Sequence, residues 1–143
     1  MKNISYIKRG PYQLMVSFSI YINILIDKDI NYRGASLSST GTLTIYEGFL
    51  WDGPTGYPFH DNDFMRPSLI HDALYLFIRD GYLSINNRKE ADLLFYKLCL
   101  EDGMNKWKAM FIYFLIRIVG GYAIENDAGR NGHDLDVMYS PPI

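Results

Sequence analysis

Every even-numbered position from Tyr12 to Ile26 is apolar: Tyr12, Leu14, Val16, Phe18, Ile20, Ile22, Ile24 and Ile26. Gln13, Ser17, Ser19 and Asn23 fall between them. A period of two sends alternate side chains to one face of an extended chain. The run therefore predicts one long half-buried strand, or two joined by a bend. "KDIN" and "RGASLSSTG" follow with turn chemistry, and "TLTIYEGFLW", Thr42 to Trp51, predicts further strand with Gly48 as a candidate break.

After Trp51 the period becomes helical. Pro67 suits a first helical turn and biases Arg66 away from helix, so a first helix is predicted from Pro67 to Asp80, with Gly81 as a left-handed cap. Its apolar stripe is Leu69, Ile70, Ala73, Leu74, Phe77 and Ile78. A second helix opens at Asn86 or Asn87, where Glu90 offers the acidic half of a capping box, and ends near Gly103. Ala91, Leu94, Phe95 and Leu98 form its stripe. The third, Asn105 to Val119, contains "AMFIYFLI", apolar almost all round. Such a run is either a core helix buried on several sides or an interfacial segment touching lipid, the second helped by Lys106, Lys108 and Arg117.

The pattern predicts an α+β fold: an N-terminal antiparallel β-sheet, then a helical hairpin and a third helix. We expect a single domain over 1–143, mainly β over 1–51, a loop over 52–66, helical over 67–122 and an irregular tail over 123–143.

Composition narrows the function classes. The 2 Trp, 12 Tyr and 8 Phe are a heavy aromatic share, suited to large buried areas or to a flat amphipathic partner. A net charge of −2 gives no basic field, so no nucleic-acid partner is expected. Cys99 is the single cysteine, which excludes an internal disulfide framework. No signal peptide is expected at the start, and no run reaches the roughly 18 unbroken apolar residues of a membrane span. The expectation is a soluble chain.

The chemistry concentrates in "SLIHDALYLFIRDG", Ser68 to Gly81. His71 and Tyr75 are four residues apart and share one helix face, with Asp72 rotated about 100° from His71. Near a helix start the dipole opposes added positive charge, and a neutral imidazole is what a general base needs. Such a base wants a carboxylate behind it. Asp92, in "RKEADLLFYKL", sits at the edge of the second helix's stripe and can face back across an antiparallel hairpin. The same three residues could equally form a buried hydrogen-bond network that only locks two helices together. Upstream, "GFLWDGPTGYPF" is a tight glycine-containing loop whose carbonyls, beside a carboxylate such as Asp72, suit a hard cation. The run Asp61 to Asp63 lacks the later Gly and Glu of an EF-hand. A His–Asp metal phosphohydrolase needs further helix-borne ligands, and only His60 and His133 remain, both in expected loops.

A glycine-containing loop, then His-Asp-x-x-Tyr on a helix, then an Asp about twenty residues on, resembles phospholipase A2, especially its cysteine-poor bacterial and parvoviral forms. The resemblance covers Trp51 to Leu98; the N-terminal strand region has no counterpart in it. It implies His71 as the base that activates water, Asp92 as the carboxylate behind it and Tyr75 as the tyrosine bonded to that carboxylate. It further implies calcium as cofactor, held by Asp72 and by loop backbone around Trp51, Gly53 and Thr55. "GFLWDGPTG", "RPSLIHDALY" and "ADLLFYKL" also resemble a family of small phage and prophage proteins, from the strands through the third helix. Together these imply a calcium-dependent lipid esterase of phage or prophage origin, meeting a phospholipid or membrane surface. The alternative is a non-enzymatic virion- or lysis-associated protein whose partners are phage virion proteins. Either implies the host cytoplasm or the phage virion as location.

Overall fold

The computed structural model describes residues 3–8, 11–53 and 62–128, with the side chains at 62 and 122–128 left aside. The fold is α+β: antiparallel strands come first and three helices follow. The chain divides into two compact units, one built on Ile4–Asp52 and one on Gly53–Arg130.

The β unit holds two sheets. β1 (Tyr6–Lys8), β2 (Tyr12–Leu14) and β7 (Leu50–Trp51) form the first, in the order β1-β2-β7. β3 (Phe18–Tyr21), β4 (Ile30–Tyr32), β5 (Ala35–Leu37) and β6 (Thr42–Ile45) form the second, in the order β3-β6-β5-β4. The Tyr12–Ile26 alternation holds two strands joined by a bend at Met15–Ser17, where Val16 is exposed, but the second strand stops at Tyr21, short of Ile26. Ala35, Leu37, Leu43 and Ile45 are buried and lie opposite one another in register, Ala35 against Ile45 and Leu37 against Leu43. That face is the centre of the unit's core.

Strands β4 and β5 occupy the segment whose polar residues predict turns. Their hairpin turns on two residues, Arg33 (φ +47) and Gly34 (φ +81), and Asn31 and Ser36 pair across it on the other face. Each strand is only three residues long and alternates with polar positions, so the turn signal outweighed the strand signal. Between β5 and β6, Gly41 has φ +93, and a Cβ there would lie 2.6 Å from the Ile22 carbonyl oxygen, so only glycine fits.

The helical unit is α1 (Met65–Arg79), α2 (Arg88–Glu101) and α3 (Lys106–Ala128). α1 begins with a short 3₁₀ turn at Asn62–Phe64 and starts two residues before Pro67. It ends as expected: Gly81 takes φ +83 and the Tyr82 amide returns to the Phe77 carbonyl at 2.8 Å. All six residues of the expected α1 stripe are buried. The capping box expected at Asn87 and Glu90 does not form. Asn87 already has helical φ and ψ, its side chain donates to Glu90 (3.4 Å), and Ser84 caps a 3₁₀ turn ahead of α2 instead, accepting from the Asn86 amide. Asn105 caps α3, its side-chain oxygen accepting from the Trp107 amide at 2.9 Å.

α1 and α2 are antiparallel. At one end Arg66 makes a two-pronged ion pair with Asp102, Nε to Oδ2 at 2.9 Å and Nη2 to Oδ1 at 2.6 Å, with Glu101 alongside. Both Arg66 and Asp102 are buried, so each satisfies a charge that would otherwise be stranded. α3 packs on this pair through Ala109, Ile112 and Ile116, against Phe95, Cys99, Met104 and Phe64. α3 departs from both its expected length and a burial on several sides. It runs on to Ala128, and among its described side chains, 106–121, the fully buried ones lie along the one face that meets the hairpin. Among the described residues, no helix is long and apolar enough to cross a membrane.

Candidate functional site

The antiparallel hairpin brings α1 and α2 together one level above the Arg66–Asp102 pair. There Asp92 of α2, with no exposed surface, collects donors from both α1 and α3. His71 Nε2 lies 2.7 Å from Asp92 Oδ1, and the Tyr75 hydroxyl donates to the same oxygen at 2.6 Å. Arg117 Nη1, from α3, donates to Oδ2 at 2.7 Å. Arg88 stands 3.9 Å from Oδ2, donates to the Tyr75 hydroxyl at 3.2 Å and to the Arg117 carbonyl at 2.6 Å. The i, i+4 spacing of His71 and Tyr75 stacks their rings, with centroids 4.0 Å apart, and Phe95 meets the imidazole edge-on at 5.3 Å.

The electrostatics follow from this crowd of donors. Burial alone would raise the Asp92 pKa, but hydrogen bonds from His71, Tyr75 and Arg117 outweigh it and hold the carboxyl below the usual carboxylate range. Asp92 is therefore ionised at neutral pH. Burial, reinforced by the bond to Asp92, pushes the Tyr75 phenol far above its ordinary value, so it is a neutral donor. The hydrogen bond to Asp92 raises Arg117 further. Because Nε2 faces an ionised carboxylate, it carries a hydrogen and donates to Asp92, which leaves Nδ1 as the ring nitrogen turned away from the acid. Nδ1 has no hydrogen-bond partner among the described residues, no fully buried side-chain nitrogen or oxygen is left orphaned, and 11 % of the His71 side chain is exposed. The geometry is that of an imidazole with an orienting carboxylate on its far nitrogen.

Asp72 is half-buried on α1, next to His71 but on another helix face. Trp51 ends β7 in the β unit, buried against the Tyr6 and Tyr12 rings at 5.9 and 5.6 Å. Gly53 takes φ +70, and Thr55 lies outside the described residues, as do His60 and His133. Among the described residues, no three His, Cys, Asp or Glu side chains gather as a metal cluster. A calcium site here would rest on the Asp72 carboxylate and backbone carbonyls, an all-oxygen set of the chemistry calcium takes. Cys99 is buried, and burial first, then the charges of Asp102 and Asp63, push its thiol well up, which makes it inert as a nucleophile.

Three members of the site were not picked out from the sequence. Arg88 and Arg117 complete the shell of Asp92, and Gly120 makes room for Tyr75: a Cβ at 120 would lie 2.6 Å from the Tyr75 hydroxyl oxygen. Arg117 did carry a signal. A lone cation within "FLIRIVGG" needs either solvent or a buried acid. No family model, no curated protein and no solved structure matches the chain.

Proposed function

We propose that this chain is a calcium-dependent lipid esterase of the phospholipase A2 type, acting in a phage or prophage setting. The observation that carries the reading is the His71–Asp92 pair: Nε2 is tied to a buried ionised carboxylate at 2.7 Å, and Nδ1 has no hydrogen-bond partner among the described residues. In this mechanism, Nδ1 takes a proton from a water while that water's oxygen attacks the ester carbonyl carbon. The imidazolium then returns the proton to the leaving alkoxide, and fatty acid and lysophospholipid depart. Asp92 cannot take the proton itself, since its donors hold it ionised; it fixes the tautomer and stabilises the imidazolium. Tyr75 and Arg117 position Asp92 without touching substrate. Calcium, held by Asp72 with loop carbonyls near Trp51, Gly53 and Thr55, would polarise the ester carbonyl.

A second reading has its own support. One carboxylate on α2 bonded from both α1 and α3 is also what a structural clamp needs, and would suit a non-enzymatic virion- or lysis-associated protein. His71→Gln separates the two, assayed with phosphatidylglycerol vesicles and calcium. On the esterase reading, wild type releases fatty acid and the variant loses about 10²–10⁴-fold, the usual contribution of base catalysis. Calcium also raises the melting temperature, and Asp72→Asn abolishes that rise. Absence of both hydrolysis and calcium response in wild type leaves the clamp.

A further inference from the structure

α3 presents its core face and its outer face as two separate apolar stripes. Ala109, Ile112 and Ile116 are buried against the hairpin. Trp107, Phe111, Phe114 and Ile118, spaced four, three and four, fall within an arc of about 60° on the opposite side. These four are 53–76 % exposed, Trp107 most of all, and Val119 extends the patch. Four large apolar side chains in one line are a docking surface, unlike the scattered exposed hydrophobics any protein carries.

Charge selects the occupant. From Lys106 to Val119 the helix has Lys106, Lys108 and Arg117 and no acidic residue, although the whole chain has a net charge of −2. Arg117 is engaged with Asp92 and the Lys108 ammonium lies 5.9 Å over the Phe64 ring, while Lys106 is exposed beside Trp107, at the rim of the stripe. A second copy would bring the same cations to the contact. An anionic surface complements them. The helix does not qualify as a membrane span, so an apolar face with basic flanks fits a helix lying in the plane of a bilayer.

We propose that the outer face of α3 docks the protein on an anionic phospholipid bilayer, with Trp107, Phe111, Phe114 and Ile118 entering the headgroup boundary and Lys106 meeting lipid phosphates. The proposal builds on the esterase reading by naming how the site meets its substrate. Because Arg117 belongs to the same helix, docking would take place on the element that also holds Asp92.

The test uses the full chain carrying His71→Gln, so that binding is measured without hydrolysis. Trp107 is the exposed one of the two tryptophans, and its emission should shift to the blue with phosphatidylglycerol vesicles. Binding should weaken by roughly tenfold or more on phosphatidylcholine, at high salt, in Phe111→Gln/Phe114→Gln and in Lys106→Glu. No binding to phosphatidylglycerol, or equal binding by the phenylalanine double variant with its circular dichroism intact, overturns the proposal. So does a dimer in sedimentation that the double variant dissolves and vesicles do not. If the protein without His71→Gln cleaves a dispersed short-chain ester yet binds no vesicle, docking fails and the esterase stands. Vesicle binding with no ester cleavage gives the reverse.

Discussion

Arg117 reaches the Asp92 Oδ2 atom from α3 at 2.7 Å, while His71 and Tyr75 hold Oδ1 from α1. The two oxygens of one buried carboxylate are thus divided between two helices, and α2, which carries Asp92, lies between them. Asp92 is a member of the candidate site and also the point where three helices are tied. Any substitution there changes stability and chemistry together, so the two have to be measured apart.

Asp92→Ala should destabilise the helical unit by about 3–5 kcal/mol, because it strands the mostly buried Arg88 and leaves His71 and Tyr75 without an acceptor. Arg117→Met should have a smaller effect, since its side chain is nearer solvent and its aliphatic length is kept. Urea unfolding of the two single variants and the double should show a coupling of about 0.5–3 kcal/mol, as groups in one network do. Strict additivity would mean the 2.7 Å contact contributes nothing as a pair.

The two adjacent glycines of α3 should respond with opposite signs. Gly121→Ala puts a Cβ 3.7 Å from Arg88, an ordinary contact, and should gain up to about 1 kcal/mol from helix propensity. Gly120→Ala sets a Cβ 2.6 Å from a Tyr75 hydroxyl that Asp92 and Arg88 already pin, so the ring cannot simply swing aside. Overpacking of that kind costs about 1–3 kcal/mol, which outweighs the same propensity gain. Thermal melts of the two variants, read side by side, check the contrast. A stabilised Gly120→Ala would show that Tyr75 is not held where its hydrogen bonds place it.

Much of this arrangement was legible before the fold was seen. The period of four between His71 and Tyr75, and a link too short for anything but an antiparallel return, bring both to the α2 edge where Asp92 lies. The α1 stripe was readable for the same reason: six apolar residues at helical spacing have one way to face a core. The rotation of α3 was not. A helix apolar almost all round gives no period from which to tell its inner face from its outer one, so the sequence places Arg117 only among the cations of a lipid-touching segment and does not mark Trp107 as outward. Likewise β4 and β5, at three residues each, are set by the Arg33–Gly34 turn and their partners rather than by their own pattern. α3 passes through Gly120 and Gly121 because Tyr75 and Arg88 pack against them, and packing outweighs low helix propensity.

The same network should limit stability at both ends of the pH scale. Asp92 is held below its unfolded value, which lies near 3.8. A carboxyl of this kind contributes its full stability above the unfolded pKa and loses it as pH falls through the folded one, so unfolding should become easier on descending from about pH 5. Tyr75 behaves in the opposite sense. Its folded pKa is raised above the ordinary value of 10.0. Its contribution is complete below that value and is lost as pH rises from there toward the folded pKa, because the unfolded chain ionises first. Urea midpoints across the pH scale should therefore fall on both sides of a neutral plateau. Asp92→Asn should flatten the acid limb and leave the alkaline one largely in place, although Tyr75 will then bond to an amide oxygen instead of a carboxylate. Tyr75→Phe should flatten the alkaline limb and keep the acid one, since His71 and Arg117 still hold Asp92 ionised. An Asp92→Asn variant whose acid limb overlays that of the wild type would show that this carboxylate is not what the acid side of the profile reports.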